Sequence, residues 1–157
     1  MIVPDVNLLL YAYDASSRHH AAAAAWWQAC LSGRETVGLP AVVVFGFVRI
    51  STSARVFDHP LTAGEAAAHV RAWLARPGVQ VLEPRHDHIE RVLSLLEELG
   101  TAANLVTDAQ IAAQAIEHDA VLHTTDADFL RVAGLRWVNP LTGITSPTAS
   151  ARSSIKP

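Results

Sequence analysis

Short apolar segments alternate along this chain with longer segments in which apolar residues recur at helical spacing. The segments at residues 1–3, 79–82 and 120–123 are brief, apolar and β-prone, which predicts strands. The apolar residues from Ile89 to Leu99 instead repeat three or four positions apart, which predicts an amphipathic helix. Strands that alternate with helices are typical of an α/β fold with a mainly parallel central sheet. No repeat or linker divides the 157 residues, so we expect one folded domain.

Capping residues and turn residues indicate where the other helices begin and end. Asp5 is a predicted N-cap for a helix that ends near Tyr13. The segment His86-Asp87-His88 lies at another predicted helix start, which favours capping or solvent exposure over metal binding. We further expect helices at about 17–31 and from residue 40, strands near 36–38 and 135–138, and a short helical turn at 125–130. Two helix starts have the spacing of capping boxes: Thr62 with Glu65, and Thr107 with Gln110.

The composition argues against several classes of protein. Half of the residues are apolar and they are spread through the chain, which argues against disorder. No apolar run approaches the roughly 20 residues of a membrane span, and the first residues lack a secretory profile, so we expect a cytoplasmic protein. The single cysteine, Cys30, excludes an intrachain disulfide and is predicted to be a core residue. The net charge of −3 argues against nucleic-acid binding by bulk electrostatics alone.

Acidic residues from distant parts of the chain are predicted to meet at one edge of the sheet. Asp5 follows the first strand, Asp126 follows the strand at 120–123, and Asp108 lies in the first turn of its helix. Ligands of open α/β sheets bind at the carboxyl ends of the strands, near helix N-termini. Asp128, two residues after Asp126, is expected to lie close behind.

A cluster of these acids favours metal binding. Each aspartate taken alone is more typical of a helix cap or a partner of the helix dipole. Together their charges repel and raise one another's pKa, and a fold tolerates such a cluster if a divalent cation neutralises it. Oxygen ligands select a hard cation, Mg²⁺ or Mn²⁺, which suits hydrolysis of a phosphodiester by an activated water. Two interpretations of Asn7 remain open. Its side chain hydrogen-bonds either a carboxylate or a metal-bound water, or the residue completes the helix cap.

Several segments of the chain resemble a known protein family. They are PDVNLLLYA near the start, GFVRISTSARVF with PLT after it, NLVTDAQIAAQAIEHDA, TTDADF, and GLRWVNPL. In this order and spacing they resemble the PIN-domain toxins of the VapC type, above all the branch abundant in mycobacteria and related actinobacteria. The resemblance spans residues 1 to about 141.

This resemblance implies a three-layer α/β/α domain over residues 1–141, followed by a flexible tail over residues 142–157. It implies an endoribonuclease that uses Mg²⁺ or Mn²⁺ and forms a homodimer. It also implies a VapB-like antitoxin whose C-terminal segment occupies the active-site groove. By their positions in the motifs, Asp5, Asp108 and Asp126 match the catalytic acids that bind the metal, and Asp128 matches an auxiliary acid.

One position departs from the family pattern. Many PIN domains have a glutamate three residues before the arginine that Arg49 matches, and this chain has Gly46 there. Loss of that acid weakens or removes a second metal site. Arg49 could contact a substrate phosphate, pair with one of the acids, or serve packing.

Two functions stay open: a toxin endoribonuclease, and a PIN-like module that binds RNA or an antitoxin without cleaving. A phospho-acceptor or phosphatase-type function is disfavoured because Asn7 replaces the second aspartate of a DxD start.

Overall fold

A parallel β-sheet forms the centre of the computed structural model, which describes residues 1–146 apart from the side chain of residue 104. The strands lie in the spatial order β3-β2-β1-β4-β5, and every neighbouring pair is parallel. The predicted α/β fold with a mainly parallel sheet is therefore confirmed. The strands are β1 (Ile2–Pro4), β2 (Val37–Pro40), β3 (Val79–Leu82), β4 (Val121–His123) and β5 (Trp137–Val138).

Helices connect successive strands and cover both faces of the sheet. The direction of the chain across the sheet reverses after β3, because β4 pairs with the free side of β1. Right-handed crossovers then place the helices before and after this reversal on opposite faces, which gives the predicted three layers. No helix in the described part of the chain is long and apolar enough to cross a membrane. The helices are α1 (Val6–Tyr13), α2 (His20–Ser32), α3 (Ala41–Ser51), α4 (Ala63–Leu74), α5 (His88–Leu99) and α6 (Val106–Glu117), with 3₁₀ turns at Ala103–Leu105 and Ala127–Arg131.

Aromatic side chains hold α1, α2, α3 and α4 together in one layer. The ring of Trp73 lies 4.8 Å from that of Phe47, 5.4 Å from that of Trp27 and 5.6 Å from that of Tyr13, measured between centroids. The indole Nε1 of Trp73 donates a hydrogen bond of 2.7 Å to the Tyr13 hydroxyl. Each such ring removes about 150–250 Å² from water on burial. This cluster therefore joins the four helices through apolar contacts.

A buried carboxylate joins α5 to α6 on the other face. The Glu117 side chain is fully buried, and its Oε2 accepts a hydrogen bond of 3.1 Å from the backbone N–H of Arg85. Its Oε1 lies 2.8 Å from Nδ1 of His88, whose side chain is 12% exposed. Of the two expectations for the His86–His88 segment, Asp87 has the N-cap position of α5, and solvent exposure does not hold for His88. A buried carboxylate needs such partners because burial removes its hydration.

One predicted capping box is confirmed and the other is wrong. The backbone N–H of Glu65 donates to Thr62 Oγ1 at 3.2 Å, and the backbone N–H of Thr62 donates to Glu65 Oε2 at 2.8 Å. Helix α6, by contrast, follows directly on a 3₁₀ turn and begins at Val106. Thr107 therefore lies inside the first turn, and the Gln110 amide donates to the Val106 carbonyl.

The start of the predicted tail contacts β5. The backbone N–H of Ser146 donates to the Trp137 carbonyl at 2.9 Å, and the backbone N–H of Asn139 donates to the Ile144 carbonyl at 2.7 Å. Residues 142–146 thus fold back along the end of this strand. Residues 147–157 of the predicted tail lie outside the described residues.

Candidate active site

The ends of β1 and β4 meet where the order of the strands reverses. Pro4 of β1 pairs with His123 of β4, so Asp5 and Thr124 follow side by side. The backbone N–H of Asp5 donates to the His123 carbonyl at 2.9 Å, which extends the pairing by one residue. In open α/β sheets the crevice at this reversal is the usual place for a ligand.

Asp5 is buried at the start of α1, and its carboxylate is bonded to the residue that follows β4. The residue is 3% exposed and occupies the N-cap position of α1, yet its side chain makes no capping hydrogen bond. Its Oδ2 instead accepts a hydrogen bond of 2.7 Å from the Thr124 hydroxyl. Asp5 therefore occupies the predicted N-cap position of α1, while its carboxylate is bonded across the sheet edge.

Thr124 connects Asp5 to Asp126. Its Oγ1 donates to Asp5 and accepts a hydrogen bond of 2.9 Å from the backbone N–H of Asp126. Asp126 in turn accepts from the backbone N–H of Asp128 at 2.9 Å. The sequence analysis did not single out Thr124. The signal that could have found it is a hydroxyl directly after a buried strand and two residues before a candidate acid.

Asp5, Asp108, Asp126 and Asp128, which we call the acid edge, influence one another electrostatically. Burial raises the pKa of Asp5 to about 6; the Thr124 hydrogen bond opposes this rise, and the charges of Asp108 and Asp126 add to it. Burial also raises the pKa of Asp108 to about 6, and the charges of Asp126 and Asp128 contribute. The structure thus brings together all four acids singled out in the sequence.

No basic side chain compensates this negative charge within residues 1–146. None of the ion pairs there includes an acid of the acid edge. His123, at the end of β4, is neutral at physiological pH because burial lowers its pKa to about 4. Its Nδ1 accepts a hydrogen bond of 3.0 Å from the Trp26 indole, in line with a structural role for both residues.

The donor set at the acid edge fits a hard divalent cation. All of its donors are carboxylate oxygens, which such cations prefer. In the described residues no three His, Cys, Asp or Glu side chains are already arranged to hold a metal ion. A cation such as Mg²⁺ keeps several waters and is commonly bound through one or two carboxylates, so a closed protein cage is not required.

The structure places two other predicted site residues, Asn7 and Arg49, on α1 and α3. The backbone N–H of Asn7 lowers the pKa of Asp5 slightly, and its partly exposed side-chain amide makes no hydrogen bond in the described part of the chain. Arg49 is exposed on α3 and forms no ion pair or hydrogen bond within residues 1–146. Arg49 therefore neither pairs with the acids nor serves packing in this structure.

Gly46 has a packing role that explains why this chain lacks a side chain there. It is buried on α3, and a Cβ atom added to it would lie 2.9 Å from Cγ2 of Val6, the first residue of α1. The contact is with a β-branched side chain, which has little rotamer freedom in a helix. An acidic side chain at position 46 would therefore require α1 and α3 to move apart.

Comparisons with known proteins agree with the fold. A family model described as "PIN domain" matches residues 2–135. Ribonuclease VapC33 of Mycobacterium tuberculosis is 48% identical over 141 residues, which cover 90% of this chain and 99% of that protein. Ribonuclease VapC37 of the same species is 39% identical over 140 residues, 89% of this chain and 97% of that protein.

Solved structures of the same kind share the fold. The crystal structure of M. tuberculosis VapC20, described as a sarcin-ricin loop cleaving toxin, has a TM-score of 0.65 at 20% identity and covers 86% of this chain and 96% of that chain. VapBC-1 from nontypeable Haemophilus influenzae has a TM-score of 0.63 at 19% identity, over 89% of this chain and 98% of that chain. The chain belongs to the PIN-domain family, in its VapC group.

We predict that Asp108→Asn stabilises the metal-free protein at neutral pH. The pKa of Asp108 is about 6 in the folded protein and ordinarily 3.8, so the folded state binds more protons between these pH values. Stability therefore falls as pH rises from about 4 to about 6, and the carboxylate stays destabilising above that range. Thermal unfolding in chelator should show a higher Tm for the variant by a few degrees at pH 7.5, with the difference closing below pH 4.

Asp58→Asn is the matched control, because Asp58 is exposed and has no hydrogen bond or ion pair in the described residues. The Tm of the Asp58→Asn protein should equal that of the unmodified protein at every pH. An Asp108→Asn protein that is less stable than the unmodified one at pH 7.5 would contradict the proposed repulsion.

We predict that Gly46→Ala and Val6→Ala are coupled. The added Cβ meets Val6 at 2.9 Å, and overpacking of this kind costs about 1–3 kcal/mol, against a gain of about 1 kcal/mol in helix propensity. Val6→Ala removes the methyl group in the way, so the double variant should lose about 1 kcal/mol less than the two single losses combined. Denaturant unfolding of the four proteins measures this difference.

Gly64→Ala on α4 controls for helix propensity alone, since the nearest atom to its added Cβ is 3.9 Å away. It should be neutral or stabilising. Strictly additive losses at positions 6 and 46 would show that the close approach of α1 and α3 does not require glycine.

Proposed function

We propose that the protein is a toxin endoribonuclease that hydrolyses RNA phosphodiester bonds with Mg²⁺ or Mn²⁺. The observation that carries the proposal is the acid edge, where a buried carboxylate and three neighbouring acids share one sheet end without a cationic partner in the described residues. The names of the relatives, ribonucleases VapC33 and VapC37, support the same activity.

In this proposal Asp5, Asp108 and Asp126 hold the cation and Asp128 assists from the exposed side. A bound divalent cation lowers the pKa of an attacking water and neutralises charge that develops at the phosphate. Thr124 holds the Asp5 carboxylate and the Asp126 backbone in one orientation through its two hydrogen bonds.

Asn7 and Arg49 are proposed to contact the RNA or the waters around the cation. The exposed guanidinium of Arg49 binds a substrate phosphate, for which its planar fork of donors is suited. The free amide of Asn7 hydrogen-bonds a water at the acid edge. Arg49 is exposed and Asn7 is partly exposed, so both side chains are available for these contacts.

A binding module without catalysis is the second candidate. Gly46 favours it, because the packing against Val6 excludes an acid that many PIN domains have at this position. Such a protein would bind RNA or an antitoxin and leave the RNA intact.

We predict that the purified protein cleaves end-labelled total RNA into discrete products with Mg²⁺ or Mn²⁺ and not with chelator. Asp5→Asn should reduce cleavage by at least about 100-fold, because it removes the most deeply buried acid of the acid edge. Asp58→Asn is the matched control and should cleave normally. Intact RNA under every metal condition would favour the binding module, and equal cleavage by Asp5→Asn would exclude the proposed role of the acids.

We further propose a VapB-like antitoxin as partner and a homodimer as the assembly. Solved structures that share the fold include complexes named VapBC from Rickettsia felis and Haemophilus influenzae. The uncompensated acid edge would attract an arginine of such a partner, which would take the place of the cation. Exposed apolar side chains such as Phe45 (69%) and Ile89 (75%) leave surface for a partner or a second copy.

We predict that the product of the neighbouring antitoxin-type reading frame co-purifies with this protein. Asp108→Asn should weaken the complex by about tenfold or more, because a hydrogen bond between charged groups contributes about 1.5–3 kcal/mol. Titration calorimetry of the unmodified and variant proteins measures the loss. Equal affinities would show that the partner does not use the acid edge, and absence of any complex would contradict the partner itself.

A further inference from the structure

A cavity of about 190 Å³ opens beside Asp126, between the ends of β4 and β5. It shares Asp126 with the acid edge, and Thr124, which also lines the cavity, donates a hydrogen bond to Asp5, so the two sites are continuous. Its volume is below the roughly 300–1,000 Å³ of pockets for drug-sized ligands, which suits one small ring better than a large molecule. We call it the β4–β5 cavity; its lining consists of Thr124, Thr125, Asp126, Ala127, Leu130, Trp137, Asn139 and Ile144.

The apolar side chains of this cavity are unusually open to solvent. Leu130 is 58% exposed and Ile144 is 61% exposed, although both line the same recess, and Trp137 is half-buried beside them. A recess lined by aliphatic and indole side chains favours a flat apolar ring, because an aromatic ring pairs well with another such as that of Trp137. Bases of single-stranded nucleic acids bind aromatic side chains in this way.

Asn139 adds a polar contact with a defined direction of hydrogen bonding. Its Oδ1 accepts a hydrogen bond of 3.0 Å from the backbone N–H of Leu141, which assigns this atom as the oxygen. The side-chain Nδ2 makes no hydrogen bond in the described part of the chain and therefore keeps its donors. The cavity thus combines apolar walls with a donor that a base carbonyl or ring nitrogen could accept.

We propose that the β4–β5 cavity binds the base of the nucleotide next to the phosphate that is cleaved. This inference rests on the proposed ribonuclease function and extends it to the substrate, which must present an unpaired base. The continuity through Asp126 carries the argument: an RNA with a phosphate at the acid edge places an adjacent base within reach of the cavity. Recognition of single-stranded RNA uses the same combination of stacking and hydrogen bonds to the base edge.

The test compares binding of two short RNAs by the Asp108→Asn protein, which on the proposed mechanism lacks a ligand for the cation and should not cleave. One RNA is a uridine oligomer, and the other has the same ribose-phosphate backbone without bases. The oligomer with bases should bind at least about fivefold more tightly, the ratio that corresponds to 1 kcal/mol of stacking. Leu130→Ala with Ile144→Ala should reduce this ratio to less than twofold, and both replaced side chains are exposed, so the fold should be retained.

The matched control is Ile89→Ala with Leu93→Ala, an exposed apolar pair on α5, which should keep the full ratio. Asn139→Asp keeps the acceptor for Leu141 and removes the donor, so the affinities for an adenosine oligomer and for the uridine oligomer should change relative to each other.

The same ratio between the two RNA affinities in the cavity variant and in the control would overturn the proposal. The proposal would also be overturned if the cavity variant kept the ratio between the two RNA affinities but bound the antitoxin more weakly. That result would make the cavity a protein-docking site. A base-dependent ratio in a protein that cleaves no RNA would contradict the nuclease function alone and leave the base site standing.

Discussion

The hydrogen bonds of the Thr124 hydroxyl hold the acid edge together. One hydroxyl has a single donor and two acceptor positions, and here it donates to Asp5 and accepts from the backbone of Asp126. Because Thr124 is 1% exposed, water does not compete for these bonds. The parallel pairing of β1 with β4 sets the distance between the two chain segments, and Thr124 then sets the orientation of the carboxylate.

The acid edge is electrostatically unfavourable in the metal-free protein, and the rest of the fold sustains it. Like charges and burial raise the pKa of Asp5 and Asp108, which means that ionising these groups costs free energy in the folded state. The aromatic cluster around Trp73 and the close approach of α1 to α3 at Gly46 offset this cost. Functional sites commonly combine a well-packed scaffold with charged groups whose ionisation is unfavourable in the folded state.

Local patterns predicted most elements because the relevant interactions are local. The capping box of Thr62 and Glu65 involves residues three positions apart, so their spacing alone indicated the start of α4. The same spacing failed at Thr107, because the preceding 3₁₀ turn moved the start of α6 to Val106. The partnership of His88 with Glu117 joins residues 29 positions apart, and periodicity carries no information about which helix packs on which.

The sequence by itself determined the alternation of strands and helices, the place of each aspartate after a strand or in a first helical turn, and the family motifs. These features depend on residues that are close in sequence, because backbone sterics and side-chain periodicity act over a few positions. Only the tertiary structure decided that Asp5 bonds to Thr124, that Gly46 packs against Val6, and that a cavity adjoins Asp126. Each of these depends on the pairing and packing of distant segments, which no local preference specifies.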